Sequence, residues 1–192
     1  MTGGVFAIAH DVSEVDDDRT LVEAAQAEPT AFAAIYHRYA NRMYVYVRSR
    51  VSSEEDAVDI TQQVFVKSFK ALPTYKVSSA PLGAWLFRIA RNAIVDHQRR
   101  VRPMTDIDAV PMILRETGAG PEELAVKSEE VERLRAALMK LDRKKREVLA
   151  LRYGGDLRIR EIAQATGRSE EATKKQLSRA LKSLRQNYES NP

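Results

Sequence analysis

Cysteine is absent from this chain of 192 residues. Its absence excludes a disulfide framework, a zinc site with cysteine ligands and catalysis by a thiol. Long apolar runs are also missing, since no stretch reaches the roughly 20 residues that span a bilayer. The N-terminus lacks the basic-then-apolar order of a secretory signal. We therefore expect a cytoplasmic protein that makes no membrane contact of its own.

Residue types suited to catalysis are scattered. The histidines, His10, His37 and His97, are far apart in the sequence. We recognise no paired carboxylates, nucleophile elbow or phosphate-binding loop. The sequence thus predicts no catalytic residue, no metal site and no cofactor, and it disfavours an enzyme.

Charged residues are abundant and unevenly distributed. They make up 30% of the chain, and the formal net charge is +4. Acidic residues dominate the N-terminus, so the later parts of the chain are more basic than the total indicates. We predict that residues 1–19 form an acidic, disordered lead.

Apolar residues recur at helical spacing through most of residues 20–100. We therefore predict that these residues form one helical domain. We expect a short helix from Thr20, a longer one from Thr30, a third from Ser53 to about Leu72, and a fourth from Pro81 to about Arg100. The second helix carries an apolar stripe of three/four spacing, and we expect Phe69 on a buried side of the third. The stripe comprises Phe32, Ile35, Tyr36, Tyr39, Met43, Tyr46 and Val47.

Proline and glycine interrupt the helical spacing of apolar residues throughout residues 101–123. We interpret this stretch as a linker. Its length would let two helical modules lie far apart on an extended target. Residues 124–187 predict a second helical domain, including a helix over 146–153. The fold class is therefore all-α, with two small helical domains joined by a flexible linker.

Residues 158–185 predict a helix-turn-helix. Gly167 suits the left-handed end of the first helix, and Ser169 suits the N-cap of the second. We expect a buried face on the second helix and a cationic face opposite it, as in helices that enter the major groove of DNA. An exposed helix hairpin would show similar charges. The expected buried face comprises Leu177, Ala180, Leu181 and Leu184.

Two further polar faces lie within 20–100. Asp56, Asp59, Gln62 and Gln63 share the polar side of the third helix, where a solvated acidic surface is the alternative interpretation. Arginines and nearby aromatics on the fourth helix suit a single nucleic-acid strand, because cations follow phosphates while bases stack.

Three stretches in this order resemble bacterial RNA polymerase sigma factors of the extracytoplasmic-function type. They are DAVDITQQVFVKSF (56–69), APLGAWLFRIARNAIVDHQRR (80–100), and a run from LMKLDRKKREVLALRYGG (138–155) through the helix-turn-helix to residue 184. The resemblance implies two domains, named regions 2 and 4, that hold core RNA polymerase and read promoter DNA. It also implies control by an anti-sigma factor, often membrane-bound, that covers the polymerase- and DNA-binding surfaces until a stress signal arrives.

The resemblance assigns roles residue by residue. Asp56, Asp59, Gln62 and Gln63 match the surface that binds core polymerase, with Gln63 where the family usually has Glu. Asn92 matches the position that holds a flipped base of the −10 element, and the 74–80 loop would help to form its pocket. The residues implied at the −10 element are Tyr75, Arg88, Arg91, Asn92, Arg99 and Arg100.

The helix-turn-helix would read the −35 element, with departures from the family pattern. Thr173 stands where Val is common, and Glu170-Glu171 replaces a less charged pair, so an unusual −35 sequence is expected. A helix-turn-helix repressor or activator is the alternative class, but it leaves residues 56–63 and 85–92 without a role. The residues implied at the −35 element are Ser169, Glu171, Lys174, Lys175, Ser178 and Arg179.

Overall fold

A computed structural model describes residues 13–77, 80–100 and 121–190. These residues form eight α-helices and contain no strand, which confirms the all-α fold class. The helices are α1 (Ser13–Ala27), α2 (Phe32–Arg48), α3 (Glu54–Ala71), α4 (Leu82–Arg100), α5 (Pro121–Met139), α6 (Arg143–Leu149), α7 (Ile159–Thr166) and α8 (Glu170–Glu189).

The first helix begins at Ser13, inside the range predicted as a disordered lead. Two of its acidic residues, Asp17 and Asp18, have specific partners in α2. Asp18 accepts a hydrogen bond from the Tyr39 hydroxyl at 2.7 Å and lies 3.2 Å from the Arg38 guanidinium. Asp17 lies 3.6 Å from the same guanidinium. These contacts order a segment whose composition alone predicts disorder. The predicted lead residues before Ser13 lie outside the described residues.

Helices α2, α3 and α4 pack against one another, and α1 packs on α2. Ile35 and Met43 are fully buried, as the spacing of the apolar stripe on α2 predicts, and Leu86 and Phe87 of α4 are fully buried as well. Ser53 caps α3, because its hydroxyl accepts the Asp56 N–H at 3.3 Å. The prediction is wrong for Tyr36 and Phe69, since each side chain remains 45% exposed at the edge of the core.

The C-terminal helices form a second packed group. Helix α5 begins at Pro121, inside the range predicted as linker, and residues 101–120 lie outside the described residues. The predicted helix over 146–153 begins earlier, at Arg143, where Asp142 caps it. It widens into a π turn over Ala150–Gly154, and Gly155 N–H bonds to the Ala150 carbonyl at 2.9 Å.

Helices α7 and α8 form the predicted helix-turn-helix. Gly167 has φ of 70° and ends α7, while the Ser169 hydroxyl accepts the Ala172 N–H at 3.2 Å and caps α8. Ala180 is fully buried in α8, as expected. Leu181 was predicted in the buried face but is 38% exposed, because it lies on the flank of the helix beside its cationic residues.

The two helical groups contact each other. Helix α7 packs on α4, and the π turn packs on α2. Arg42 in α2 donates hydrogen bonds to the carbonyls of Gly155 at 3.0 Å and Asp156 at 2.8 Å. Both groups share one continuous buried core in this arrangement. Across the described ranges, no helix is long and apolar enough to cross a membrane.

Candidate nucleic-acid interface

The outer face of α3 carries three of the four predicted polymerase-binding residues. Asp59, Gln62 and Gln63 are exposed, and their three/four spacing places them on one side of the helix. Asp56 is half-buried at the margin of this face, and its carboxylate lies 3.5 Å from Nε2 of His97 in α4. The structure therefore brings Asp59, Gln62 and Gln63 together and turns Asp56 toward α4.

The same side of α3 also exposes apolar residues that the sequence did not single out. Val58 and Val66 are 40% and 52% exposed, and Phe69 completes the row at the end of the helix. Phe69 packs edge-on against Phe32 with 5.2 Å between ring centroids, while Phe65 fills the core position nearby. Positions 58, 62, 66 and 69 are four, four and three residues apart, which places them on one side of a helix. The sequence predicts this exposed row if Gln62 is taken as part of the exposed side.

Helix α4 presents three of the predicted −10 residues along one exposed side. Arg88, Asn92 and Arg99 are four and seven residues apart, which aligns them on a helix of 3.6 residues per turn. Arg100 is exposed on the adjacent side, with its Nε 3.3 Å from the Asp96 carbonyl. The arginine side chains can contact phosphates while the amide of Asn92 contacts the edge of a base.

Arg91 lies on a different side of α4 from this row. Its Nε donates to Oε1 of Glu147 in α6 at 2.8 Å, and both side chains are largely shielded from solvent. The structure therefore separates Arg91 from Arg88, Asn92 and Arg99, and it joins Arg91 to the C-terminal group of helices instead.

Tyr75, another predicted −10 residue, is buried. Its ring stacks on Trp85 with 4.5 Å between centroids, and its hydroxyl donates to the Ala80 carbonyl. Burial raises the pKa of the Tyr75 hydroxyl to about 12. Gln26 donates to the carbonyls of Leu72 and Tyr75, each at 2.8 Å, and so holds the start of the loop. In this arrangement Tyr75 supports the loop from inside.

All six predicted −35 residues are exposed on α8 or at its cap. Lys174 and Ser178 share one side of the helix, adjacent to Lys175 and Arg179. Glu171 forms a 2.7 Å ion pair with Lys175, so part of the cationic charge is balanced on the helix itself. The Ser169 hydroxyl caps α8, and the residues at the N-terminus of this helix are exposed to solvent.

Thr173, which the resemblance implied to stand in place of a common Val, is buried without exposing a polar group. The side chain is 1% exposed, and its hydroxyl donates to the Ser169 carbonyl one turn earlier at 2.9 Å. The hydroxyl is thus satisfied within α8 itself, so Thr173 occupies a buried position without an unpaired polar group.

A cationic groove of about 750 Å³ lies between the start of α6 and α8. Arg143, Lys144 and Lys145 line one wall, and Lys175 and Arg179 line the other. The hydrogen bond from Lys145 N–H lowers the pKa of Asp142, the acidic residue at the groove. The lysine-rich run was visible in the sequence, but only the structure places it beside α8.

A hydrogen bond joins the two walls of the groove. Gln176 in α8 donates to the Lys144 carbonyl at 2.7 Å. In helix-turn-helix proteins the recognition helix enters the major groove while a neighbouring helix crosses the DNA backbone. The groove therefore adds backbone-facing cations beside the predicted base-reading face.

Among the described residues, no cluster of His, Asp and Glu side chains could hold a metal ion.

Both helical groups match models of known protein families. The family model for sigma-70 region 2 matches residues 35–103, and the model for sigma-70 region 4 matches residues 131–184. The chain is 32% identical to the ECF RNA polymerase sigma factor ShbA of Streptomyces griseus, covering 88% of this chain and 96% of the relative. It is 30% identical to SigD of Mycobacterium tuberculosis, covering 88% and 82%.

Similarity to BldN of Streptomyces coelicolor, another ECF RNA polymerase sigma factor, reaches 31% identity over 85% of this chain but spans only 63% of that relative. Among solved structures, CnrH in complex with the cytosolic domain of CnrY superposes with a TM-score of 0.68 and 26% identity, over 91% of this chain and 99% of CnrH.

The sigma factor RpoE, solved with the anti-sigma factor NepR from Bartonella quintana, shares the fold with a TM-score of 0.64 at 19% identity, over 84% of this chain and 98% of that chain. The resemblance predicted from three stretches of sequence is thus confirmed by two family models and by relatives that share most of their length with this chain. The chain belongs to the extracytoplasmic-function group of the sigma-70 RNA polymerase sigma factors.

Proposed function

We propose that this sigma factor divides its work between residues 20–100, acting as region 2, and residues 124–187, acting as region 4. Region 2 binds core RNA polymerase and the −10 element, and region 4 binds the −35 element. The observation that carries this proposal is the placement of two separate exposed faces on helices that pack against each other: Asp59, Gln62 and Gln63 on α3, and Arg88, Asn92 and Arg99 on α4.

Helix α3 supplies the polymerase-binding face. Its exposed carboxylate and amides offer hydrogen bonds, while Val58, Val66 and Phe69 offer apolar contact on the same side. Interfaces commonly combine such an apolar patch with polar groups around it. Gln63 keeps a hydrogen-bonding group where a charge is usual, so its contribution to binding is smaller than that of Glu.

Helix α4 supplies the −10 face. Arg88 and Arg99 contact phosphates, and Asn92 contacts the edge of a base that has left the stack. Tyr75 acts indirectly, because its ring stacks on Trp85 and fixes the loop that borders the pocket. Extruding a base costs a few kcal/mol, which a pocket formed in advance and nearby phosphate contacts offset.

Helix α8 supplies the −35 face. Lys174 and Arg179 are exposed and suited to guanine edges in the major groove. Lys175 is paired with Glu171, so it contributes less net charge to DNA binding than its neighbours. Arg143 and Lys144, in the groove beside α8, contact the DNA backbone next to the bases that α8 reads.

This chain acts in the cytoplasm without catalysing a reaction of its own, and an anti-sigma factor holds it inactive. CnrH, which shares this fold at 26% identity, was solved with the cytosolic domain of another protein bound to it. The faces on α3 and α4 are exposed in this chain and are accessible to such a partner.

Binding to core polymerase tests the proposed division of labour. Asp59→Lys reverses a charge at the centre of the α3 face and should weaken binding to core polymerase at least tenfold in a fluorescence titration. Glu23→Lys makes the same charge change on α1, at an exposed site away from that face, and should bind as the wild type does. Equal weakening by both variants would show that only overall charge matters.

A further inference from the structure

Helix α1 packs against the segment that leads into the loop beside the proposed −10 pocket. Val22 is fully buried and Ala25 is buried as well, so one side of α1 belongs to the core of region 2. The helix contacts α2, α4 and the 3₁₀ turn Leu72–Thr74. Near its other end, Asp18 accepts the hydrogen bond from the Tyr39 hydroxyl. Helix α1 therefore has a defined position relative to the start of the loop.

Gln26, the second-last residue of α1, reaches across to that turn. Its Nε2 donates to the carbonyl of Leu72 and to the carbonyl of Tyr75, each at 2.8 Å. A primary amide has two N–H groups, so both donors of Gln26 are used. The Leu72 carbonyl also accepts the Tyr75 N–H at 3.0 Å, which closes the turn. One side chain of α1 thus holds both ends of a turn more than 40 positions away in the sequence.

The residue that Gln26 holds also contacts α4. The Tyr75 ring stacks on Trp85 with 4.5 Å between centroids, and its hydroxyl donates to the Ala80 carbonyl. Burial raises the pKa of Tyr75, and the nearby positive charge of Arg88 acts against this rise. A path of contacts therefore leads from Gln26 through Tyr75 and Trp85 to the helix that carries the exposed −10 row.

Removing the Gln26 amide would release the loop without unfolding the domain. Gln26 is exposed, so water can satisfy the two carbonyls when the side chain no longer does. The burial of Val22 and the stack of Tyr75 on Trp85 do not depend on the amide. The effect of such a change therefore falls on the position of the loop.

We propose that Gln26 is a positioning residue for −10 recognition, because its two hydrogen bonds hold the start of the loop and so set how strictly the pocket selects its base. The inference rests on the proposed role of the loop and of α4 at the −10 element. A pocket reads a flipped base through hydrogen bonds to the edge of the base, which require exact placement. Phosphate contacts carry no sequence information, so a displaced loop reduces selectivity more than it reduces total binding.

Two variants of Gln26 separate its donors from its size. Gln26→Glu keeps the shape of the side chain, but an ionised carboxylate only accepts hydrogen bonds, so both bonds to the carbonyls are lost. Gln26→Lys restores donors on a side chain long enough to reach the same carbonyls. The matched control is Gln186→Glu, which makes the first exchange at an exposed position of α8 in the other helical group.

Base selectivity is measured on holoenzyme assembled from core polymerase and the full-length chain. A library of DNA single strands of randomised sequence is bound to the holoenzyme, the bound strands are sequenced, and core polymerase alone supplies the background. The readout is the enrichment of the favoured base over the least favoured base at the most selective position. Loss of folded protein lowers the yield of every sequence alike, so it leaves this ratio unchanged.

The enrichment ratio should fall about threefold or more in Gln26→Glu, as expected for the loss of hydrogen bonds that contribute modestly to the position of the loop. It should stay within about twofold of the wild type in Gln26→Lys, whose donors reach the same carbonyls. Gln186→Glu should give the wild-type ratio.

Three results would overturn the role of Gln26. The first is a wild-type ratio in Gln26→Glu. The second is an equal fall in Gln186→Glu, which would assign the effect to charge alone. The third is a fall in Gln26→Lys as large as that in Gln26→Glu, which would show that the donors are irrelevant. If the wild-type holoenzyme enriches no base over core polymerase alone, the proposed role of region 2 at the −10 element is wrong, and the role of Gln26 is rejected with it.

Discussion

The hydroxyl of Tyr75 donates a hydrogen bond to the carbonyl of Ala80, so one buried side chain ties the end of the turn after α3 to the residue before Pro81. The two residues flank the loop that borders the proposed −10 pocket. A residue that family resemblance places at the DNA is therefore also a structural support of the site.

Tyr75→Phe keeps the stack on Trp85 and removes only this hydrogen bond. We expect the free energy of unfolding to fall by about 1–2 kcal/mol, because the Ala80 carbonyl loses its partner inside the protein. Urea denaturation measures the change. Tyr153→Phe, at a site that is 52% exposed, should leave stability unchanged. Equal stability of Tyr75→Phe and the wild type would mean that the bond adds nothing to the fold.

The protein should lose stability in alkaline solution. Tyrosine titrates near pH 10 in the unfolded chain, whereas burial raises the pKa of Tyr75 to about 12. Between these values the unfolded state releases the proton that the folded state keeps, so stability is complete below about pH 10 and falls as pH rises through 12. Burial also raises the pKa of Tyr39 and Tyr46, which adds to the slope.

Denaturation curves at several alkaline pH values measure this loss. Each shifted tyrosine contributes up to about 1.4 kcal/mol per pH unit in the window. Tyr75→Phe should reduce the loss of stability per pH unit by the contribution of one tyrosine. A dependence as steep in the variant as in the wild type would contradict the assignment to Tyr75.

Lys174→Ala and Arg179→Ala test base reading by α8. Each should weaken binding to a −35 duplex by roughly 1–3 kcal/mol and relax the preference for bases at one position. Competition binding against duplexes with single base-pair changes measures both effects. Similar losses on every duplex would show that the side chain contacts phosphates only.

Lys144→Ala tests the groove beside α8. A phosphate contact releases a counterion, so the variant should bind all duplexes more weakly and reduce the slope of log K against log salt by about 0.9. The matched control is Lys140→Ala, another exposed lysine of region 4 outside the groove. Slopes that are equal in Lys144→Ala, the control and the wild type would remove the groove from the DNA-binding surface.

Gln63→Glu tests whether the α3 face is tuned by a missing charge. The substitution introduces the residue that the resemblance implies is usual at this exposed position, and it should tighten binding to core polymerase by a few tenths to about 1 kcal/mol, as expected for an exposed ion pair. The gain should shrink with added salt. Weaker binding by Gln63→Glu would indicate that this interface is adapted to the amide.

The sequence predicted local structure well where caps and glycine decide it. Ser53, Ser169 and Gly167 act as their residue types indicate, because capping depends on a few neighbouring backbone groups. Periodicity also placed Ile35, Met43 and Ala180 on buried faces, since a helix that packs on one side requires apolar residues at that spacing, but it misplaced Tyr36 and Leu181, which are exposed.

Features that depend on distant partners could not be predicted. Helix α1 includes Asp18, which meets Arg38 and Tyr39 of α2, and composition cannot show such a pairing. Phe65 is the aromatic residue buried between α2 and α3, and Tyr36 packs against its edge while Tyr36 and Phe69 remain half exposed. The turn of Arg91 toward Glu147 required the packing of region 4 on α4, a contact between residues 56 positions apart.

Transcription reconstituted from purified core polymerase and this chain tests the central claim most directly. Start sites mapped on genomic DNA fragments should lie downstream of two shared sequence elements at the −35 and −10 positions, and they should disappear with Asp59→Lys while persisting with Glu23→Lys. Start sites that are the same with and without the chain, or that Asp59→Lys supports as well as the wild type does, would contradict the account.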